Sequence, residues 1–130
     1  MMKKSSTAAM ACLAILSGSA FAQAGGSLNV ICSTDRTWCD MAVAEFQKAT
    51  GVKVNQTHKA TGEALAQLRA EASNPKTDLW WGGTGDPFLQ AADIGLLEPY
   101  RPPNINDLHG WSVRQYAMSG NMVGGFYTSA

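Results

Sequence analysis

A chain of 130 residues, 45% hydrophobic and 15% charged, is large enough for one globular domain and too small for several. Its 10 basic and 10 acidic side chains cancel. Without an excess of positive charge there is nothing to draw the chain onto a phosphodiester backbone, so a nucleic-acid partner is not expected.

The N-terminus is read first because it changes those totals. Lys3 and Lys4 precede an uncharged run from Thr7 to Leu16, and small residues then lead to Ala20-Phe21-Ala22. A charged start, an apolar middle and an A-x-A site make a secretory signal peptide, with cleavage expected after Ala22. Removal of residues 1–22 leaves 8 basic residues against 10 acidic ones, a net charge of −2. The apolar run is too short for a permanent membrane span. Cys12 lies inside it, with Ala9 where a lipoprotein signal wants leucine, so neither stable membrane insertion nor a lipid anchor is expected. Export places the two remaining cysteines, Cys32 and Cys39, in a compartment where disulfides persist, and they are read as a pair. A metal site would want more Cys or His close by, and a thioredoxin-like motif only two intervening residues.

Three strand-helix units follow in order. Ser27-Leu28-Asn29-Val30-Ile31-Cys32 is a mostly apolar run with β-branched residues at its centre, suited to a buried strand. Ser33-Thr34-Asp35 supplies capping residues for a helix whose apolar positions, Cys39, Ala42, Val43 and Phe46, have helical spacing, and Gly51 stops it. Val52 to Gln56 alternates as a second strand. Thr61 is the expected N-cap of a second helix, with Glu63 in its first turn, a buried stripe of Ala64, Leu65, Leu68 and Ala72, and an end at Asn74-Pro75. Thr77 to Trp81 reads as a third strand running into Gly82-Gly83-Thr84-Gly85, glycines that permit positive φ and close approach of another molecule. Asp86-Pro87 reads as the N-cap and first position of a third helix, burying Phe88, Leu89 and Ala92 before Gly95. Alternation of this kind argues for a parallel sheet covered by helices.

Glu98 to Pro103 cannot continue a helix, and Asn104 to Asp107 is rich in turn formers. Trp111 to Met118 fits either a helical turn or an extended segment. Met122 to Tyr127 reads as a further strand at which the chain stops, as an incomplete reading frame would.

Taken together, the signal peptide, Cys32-Ser33-Thr34-Asp35, the passage from Glu45 to Val54, Thr61-Gly62-Glu63, Asp78-Leu79-Trp80-Trp81-Gly82-Gly83 and the passage from Ala91 to Tyr100 resemble the periplasmic solute-binding proteins of bacterial ABC importers, in particular the ferric-iron-transport-like branch. The resemblance covers nearly the whole mature chain. It implies an α/β lobe of the periplasmic-binding-protein type II kind, a three-layer α/β/α sandwich with a mainly parallel sheet, filled by residues 23–130 and lacking its partner lobe. It also implies a periplasmic, non-enzymatic protein, expected to be monomeric and without a resident cofactor. Such a protein would capture a small solute, either an anionic or phosphorylated molecule or ferric iron as cargo, and hand it to an ABC permease.

In a parallel sheet the ligand crevice lies outside the carboxyl ends of the strands. Those ends carry Ser33, Thr34 and Asp35 after the first strand, Thr61 and Gly62 after the second, and Trp81, Gly83 and Thr84 at the third, and these are the candidate ligand-binding residues. Hydroxyls and helix N-terminal amides would cradle an oxyanion without a basic side chain. Asp35 as an oxygen ligand and His58 as a nitrogen ligand are the candidates for iron. Family members that bind iron typically place a histidine just after the first strand, where this chain has Cys32-Ser33-Thr34-Asp35.

Two other classes compete. A secreted hydrolase would use Ser33 or Thr84 as nucleophile with His58 as base, but there is no G-x-S-x-G elbow, and His109 sits in the loop-rich segment. An interaction module would present Trp38, Trp80, Trp81 and Trp111 as an aromatic face; adjacent Trp80 and Trp81 must however point to opposite sides of a strand, one under a helix and one toward the cleft.

Overall fold

The structure is a computed structural model describing residues 26–125; the expected signal peptide with Cys12, residues 23–25 and residues 126–130 lie outside the described residues. Three parallel strands, β1 (Ser27–Cys32), β2 (Lys53–His58) and β3 (Leu79–Trp81), form a sheet in the order β2-β1-β3. Helix α1 (Arg36–Thr50) follows β1, α2 (Thr61–Ala70) follows β2, and α3 (Gly85–Asp93) follows β3.

Alternation along β1 assigns the layers. Ile31 turns to one side and, with Trp80 in register beside it, meets Ala64, Leu65 and Leu68 of α2 and Ala91 of α3, flanked by Phe88, Leu96 and Leu97. That is the core. Val30 and Cys32 turn to the other side, where the Cys32–Cys39 disulfide ties β1 to α1. The expected α/β/α sandwich and the expected disulfide are both present. Truncating Leu65 or Leu68 to alanine in this cluster would cost about 2–5 kcal/mol.

Strand β2 is a sheet edge, and α1 partly closes it. Gln47 Oε1 accepts from the Val54 N–H at 2.8 Å, and Asp40 Oδ1 accepts from Gln56 Nε2 at 2.9 Å. An edge amide satisfied by a side chain is unavailable to a foreign strand.

Several boundaries differ from the expected ones. The cap of α2 is Ala60, and Thr61 is already helical; the cap position is served by the Glu63 carboxylate, which accepts from the Ala60 N–H at 3.3 Å. Helix α2 stops at Ala70, before Asn74-Pro75, so Ala72 is exposed outside it. Glu71 takes the C-cap and turns its carboxylate to Gln67 Nε2 and Thr77 Oγ1 at 2.7 and 3.0 Å, which fixes the exit of the chain. Strand β3 starts at Leu79 rather than Thr77, because the Asn29 N–H goes to the Asp78 carboxylate at 2.7 Å instead of to a backbone carbonyl. Thr84, not Asp86, caps α3. Asp86-Pro87 then falls within the first turn, where amides have no intrahelical partner and a missing N–H costs nothing. Ala91, not Leu89 or Ala92, is the fully buried residue of α3. On α1 only Cys39 of the expected stripe is fully buried, and Phe46 is 40% exposed.

Beyond α3 the segment containing Trp111 is helical, α4 (Gly110–Met118), preceded by a 3-10 turn at Ile105–Asp107. The described part of the expected strand, Met122 to Gly125, is not a strand. Its Val123 N donates to Ser119 Oγ at 2.9 Å, and Asn121, just before it, accepts from Tyr100 N on its carbonyl oxygen at 2.9 Å. Phe126 and Tyr127 lie outside the described residues.

Candidate functional site

The carboxyl ends of the three strands meet. Ser33 N donates to Trp81 O at 2.9 Å and Lys59 N to Cys32 O at 3.1 Å, so each outer strand remains tied to β1 just past its own end. The turn after β3 then folds down on the other two loops. Gly82, at φ 77°, lies so close to Thr34 that a Cβ there would be 2.8 Å from Thr34 Cβ. Gly83, at φ 92°, is closer still: a Cβ would be 2.5 Å from Thr61 Oγ1 and 2.9 Å from the Ser33 carbonyl oxygen. Only glycine satisfies both the left-handed backbone and the missing volume at these two positions.

Ser33, Thr34, Thr61 and Gly83 are therefore neighbours. Their surroundings combine three hydroxyl side chains against a glycine turn with the N-terminal first turns of α2 and α3, whose amides carry partial positive charge. Gly62 is exposed at the second position of α2, and Thr84 is the exposed cap residue of α3, with no side-chain bond to its own helix. Trp81 is half-buried on the rim of an open groove of about 1120 Å³ that also takes in Gly82, Gly83 and Gly85 and continues to Leu97, Tyr100 and Trp111. The Cys32–Cys39 disulfide, with Cα atoms 6.0 Å apart and both residues fully buried, clamps the Ser33-Thr34-Asp35 loop at its two ends.

The two metal candidates each serve the scaffold. Asp35 is the N-cap of α1, its Oδ1 accepting from Thr37 N at 2.8 Å. His58 ends β2 with Nε2 2.7 Å from the Thr34 carbonyl oxygen. A carbonyl only accepts, so Nε2 carries the proton of this bond, and a metal could be held only through Nδ1. Among the described residues no three His, Cys, Asp or Glu side chains gather as a metal-binding group. The same bond directs His58 to a backbone carbonyl rather than to the hydroxyl of Ser33 or Thr84, where a hydrolytic base would have to be. The tryptophans do not form one face: Trp38 is half exposed on α1, Trp80 is buried in a stack with Phe88 at a centroid distance of 3.8 Å, and Trp81 and Trp111 are half-buried.

One contact was not apparent from the sequence. The Trp80 indole N–H donates to Ser33 Oγ at 2.9 Å. Strand alternation turned one of Trp80 and Trp81 under a helix; that it is Trp80, and that it reaches Ser33, depends on the register that brings the end of β3 beside the end of β1.

A polar depression of about 540 Å³ opens elsewhere, lined by Asn29, Asn55, Gln67, Glu71, Lys76 and Asp78 among others. Burial pushes the Glu71 pKa up. Hydrogen bonds from Gln67, Thr77 and the Lys76 backbone, with the Lys76 charge, outweigh burial and hold the carboxyl below its ordinary value of 4.5.

The sequence profile of the family described as bacterial extracellular solute-binding protein matches residues 41–129. An uncharacterized protein of Haemophilus influenzae is 39% identical over 103 residues, which is 79% of this chain and 29% of that protein. Among solved structures, the periplasmic binding protein AfuA from Actinobacillus pleuropneumoniae, with exogenous fructose-6-phosphate bound, is 39% identical at a TM-score of 0.64, over 65% of this chain and 27% of that one. The periplasmic binding protein P5PA is 31% identical at a TM-score of 0.69, over 74% of this chain and 31% of that one. Iron-bound HitA from Pseudomonas aeruginosa shares the fold at a TM-score of 0.63 with 18% identity, over 67% of this chain and 28% of that one. The chain thus spans about three tenths of the length of the proteins it matches.

Proposed function

Because the chain belongs to the bacterial extracellular solute-binding protein family, we propose that it forms the first-lobe half of a periplasmic cleft that captures a small phosphorylated solute for delivery to an ABC permease. The observation that carries this reading is the junction at Gly83, where Ser33 and Thr61 press on a glycine turn at the ends of parallel strands. Amides at the starts of α2 and α3, with Ser33, Thr34, Thr61 and Thr84, give an oxyanion several donors without burying a cation. AfuA, the 39% identical neighbour, was solved with a sugar phosphate, which agrees with this chemistry. The iron-bound neighbour is 18% identical and supports the fold alone. Asp35, Gly62 and Trp81 take outer positions in the cradle, Asp35 by ordering the loop that carries Ser33 and Thr34.

Calorimetry on the full-length protein with fructose 6-phosphate, inorganic phosphate and ferric citrate tests the reading. Thr84→Val keeps the side-chain shape and removes one donor to a charged group, about 1.5–3 kcal/mol, so the affinity for the phosphate ester should fall by roughly tenfold to a hundredfold. Tight ferric capture that survives Thr84→Val but is lost in Asp35→Ala or His58→Ala would replace the anion cradle with a metal site.

A further inference from the structure

A serine hydroxyl has one proton and two lone pairs and turns to suit its neighbours, so an isolated serine in a crevice can donate to a solute or accept from it. Ser33 is not isolated. Trp80 Nε1 lies 2.9 Å from its Oγ, and an indole N–H can only donate. One lone pair of Ser33 is thereby occupied and its proton is turned away from the indole. Accepting a hydrogen bond also polarises the hydroxyl and strengthens the bond it donates.

The indole itself is held firmly. Trp80 is 8% exposed, is paired in register with Ile31 and stacks on Phe88 with ring planes 20° apart. The backbone of Ser33 is fixed by its bond to Trp81 O and by the disulfide at Cys32. Neither partner has to be ordered when a solute arrives, so the donor is preorganised.

We infer that Trp80 is a positioning residue of the solute site: its indole N–H holds the Ser33 hydroxyl as a donor toward the crevice, which suits an acceptor-only group such as a phosphoryl oxygen. The inference rests on the proposed phosphorylated solute. Trp80 has no need to touch that solute, since it acts through Ser33.

The test is a double-mutant cycle on the full-length protein, with fructose 6-phosphate as probe. Trp80→Phe keeps an aromatic ring against Phe88 and removes the N–H together with part of the indole's bulk, and the cycle separates the two effects. It should weaken binding by roughly two- to tenfold, the range expected for one ordinary hydrogen bond. In the Ser33→Ala background the same change should have no further effect, because the hydroxyl it orients is gone. A purely structural role would persist in both backgrounds, so equal losses with and without Ser33 would overturn the inference. A second readout needs no altered core: the Trp80 indole N–H resonance of the wild-type protein should shift on titration with fructose 6-phosphate, and that shift should vanish in Ser33→Ala. An unmoved resonance at saturation would overturn the inference even if Trp80→Phe failed to fold. Wild-type protein that binds no phosphate ester refutes the functional reading and this inference with it; wild-type binding that Trp80→Phe leaves unchanged refutes the inference alone.

Discussion

Alanine at position 83 should be among the most damaging small substitutions in this chain, and its cost has two separable parts. Gly83 has φ 92°, outside the range that a residue with a Cβ adopts without strain, which costs about 1–2 kcal/mol. The added Cβ would also lie 2.5 Å from Thr61 Oγ1 and 2.9 Å from the Ser33 carbonyl. One of these neighbours is backbone and the other sits in the first turn of α2, so relief requires the turn after β3 to lift, for about 1–3 kcal/mol more. The expected loss is therefore about 2–5 kcal/mol, measured by urea denaturation of the full-length protein. Gly95→Ala is the internal control. Its φ of 72° brings a similar backbone penalty, but nothing lies within 4 Å of the new Cβ, so it should cost only about 1–2 kcal/mol. Lifting the turn also moves Gly83 away from Ser33 and Thr61, so Gly83→Ala should weaken solute binding while Gly95→Ala leaves it intact. If the two variants are equally stable and bind alike, the close approach of the three strand ends is wrong.

Other outcomes can be measured directly. The exported protein should begin at Gln23, and mass spectrometry finding an intact Met1 or a lipid-modified Cys12 would contradict that processing. The native, unreduced protein should show no reactive thiol at Cys32 or Cys39, and replacing both cysteines with alanine should cost about 2 kcal/mol in denaturant unfolding. The lowered pKa of Glu71 has a definite sign: its contribution is fully present above the ordinary value of 4.5 and is lost as pH falls through the lower folded-state value. Glu71→Gln should accordingly lose less stability than wild type between neutral pH and the acid side of 4.5, and parallel losses would refute the role of Gln67, Thr77 and Lys76 in holding that carboxylate charged.

Local pattern by itself determined the order of elements, because strand and helix periods are written into neighbouring residues. The run Ser27–Cys32 is a strand with the expected bounds, Asp35 caps α1, Gly51 ends it, and Ala64, Leu65 and Leu68 form the buried stripe of α2. Alternation was enough to turn Trp80 and Trp81 to opposite faces. The family resemblance was legible for the same reason, since it rests on the order and spacing of short segments. Cap positions were harder, because neighbouring residues compete for them and the outcome depends on where the preceding loop is held. Thr61 and Asp86 each lost the cap by one or two residues once their loops were anchored on β1 and the glycine turn. The apolar tail from Met122 looked like a strand, but the Val123 amide found the Ser119 hydroxyl, and Asn121 just before it accepts from the Tyr100 amide, instead of a ladder. Only the tertiary structure placed Ser33, Thr61 and Gly83 against one another and laid the Trp80 indole on the Ser33 hydroxyl. Those contacts join residues up to 50 positions apart, and they follow from the sheet order β2-β1-β3 and its register, which no local period encodes.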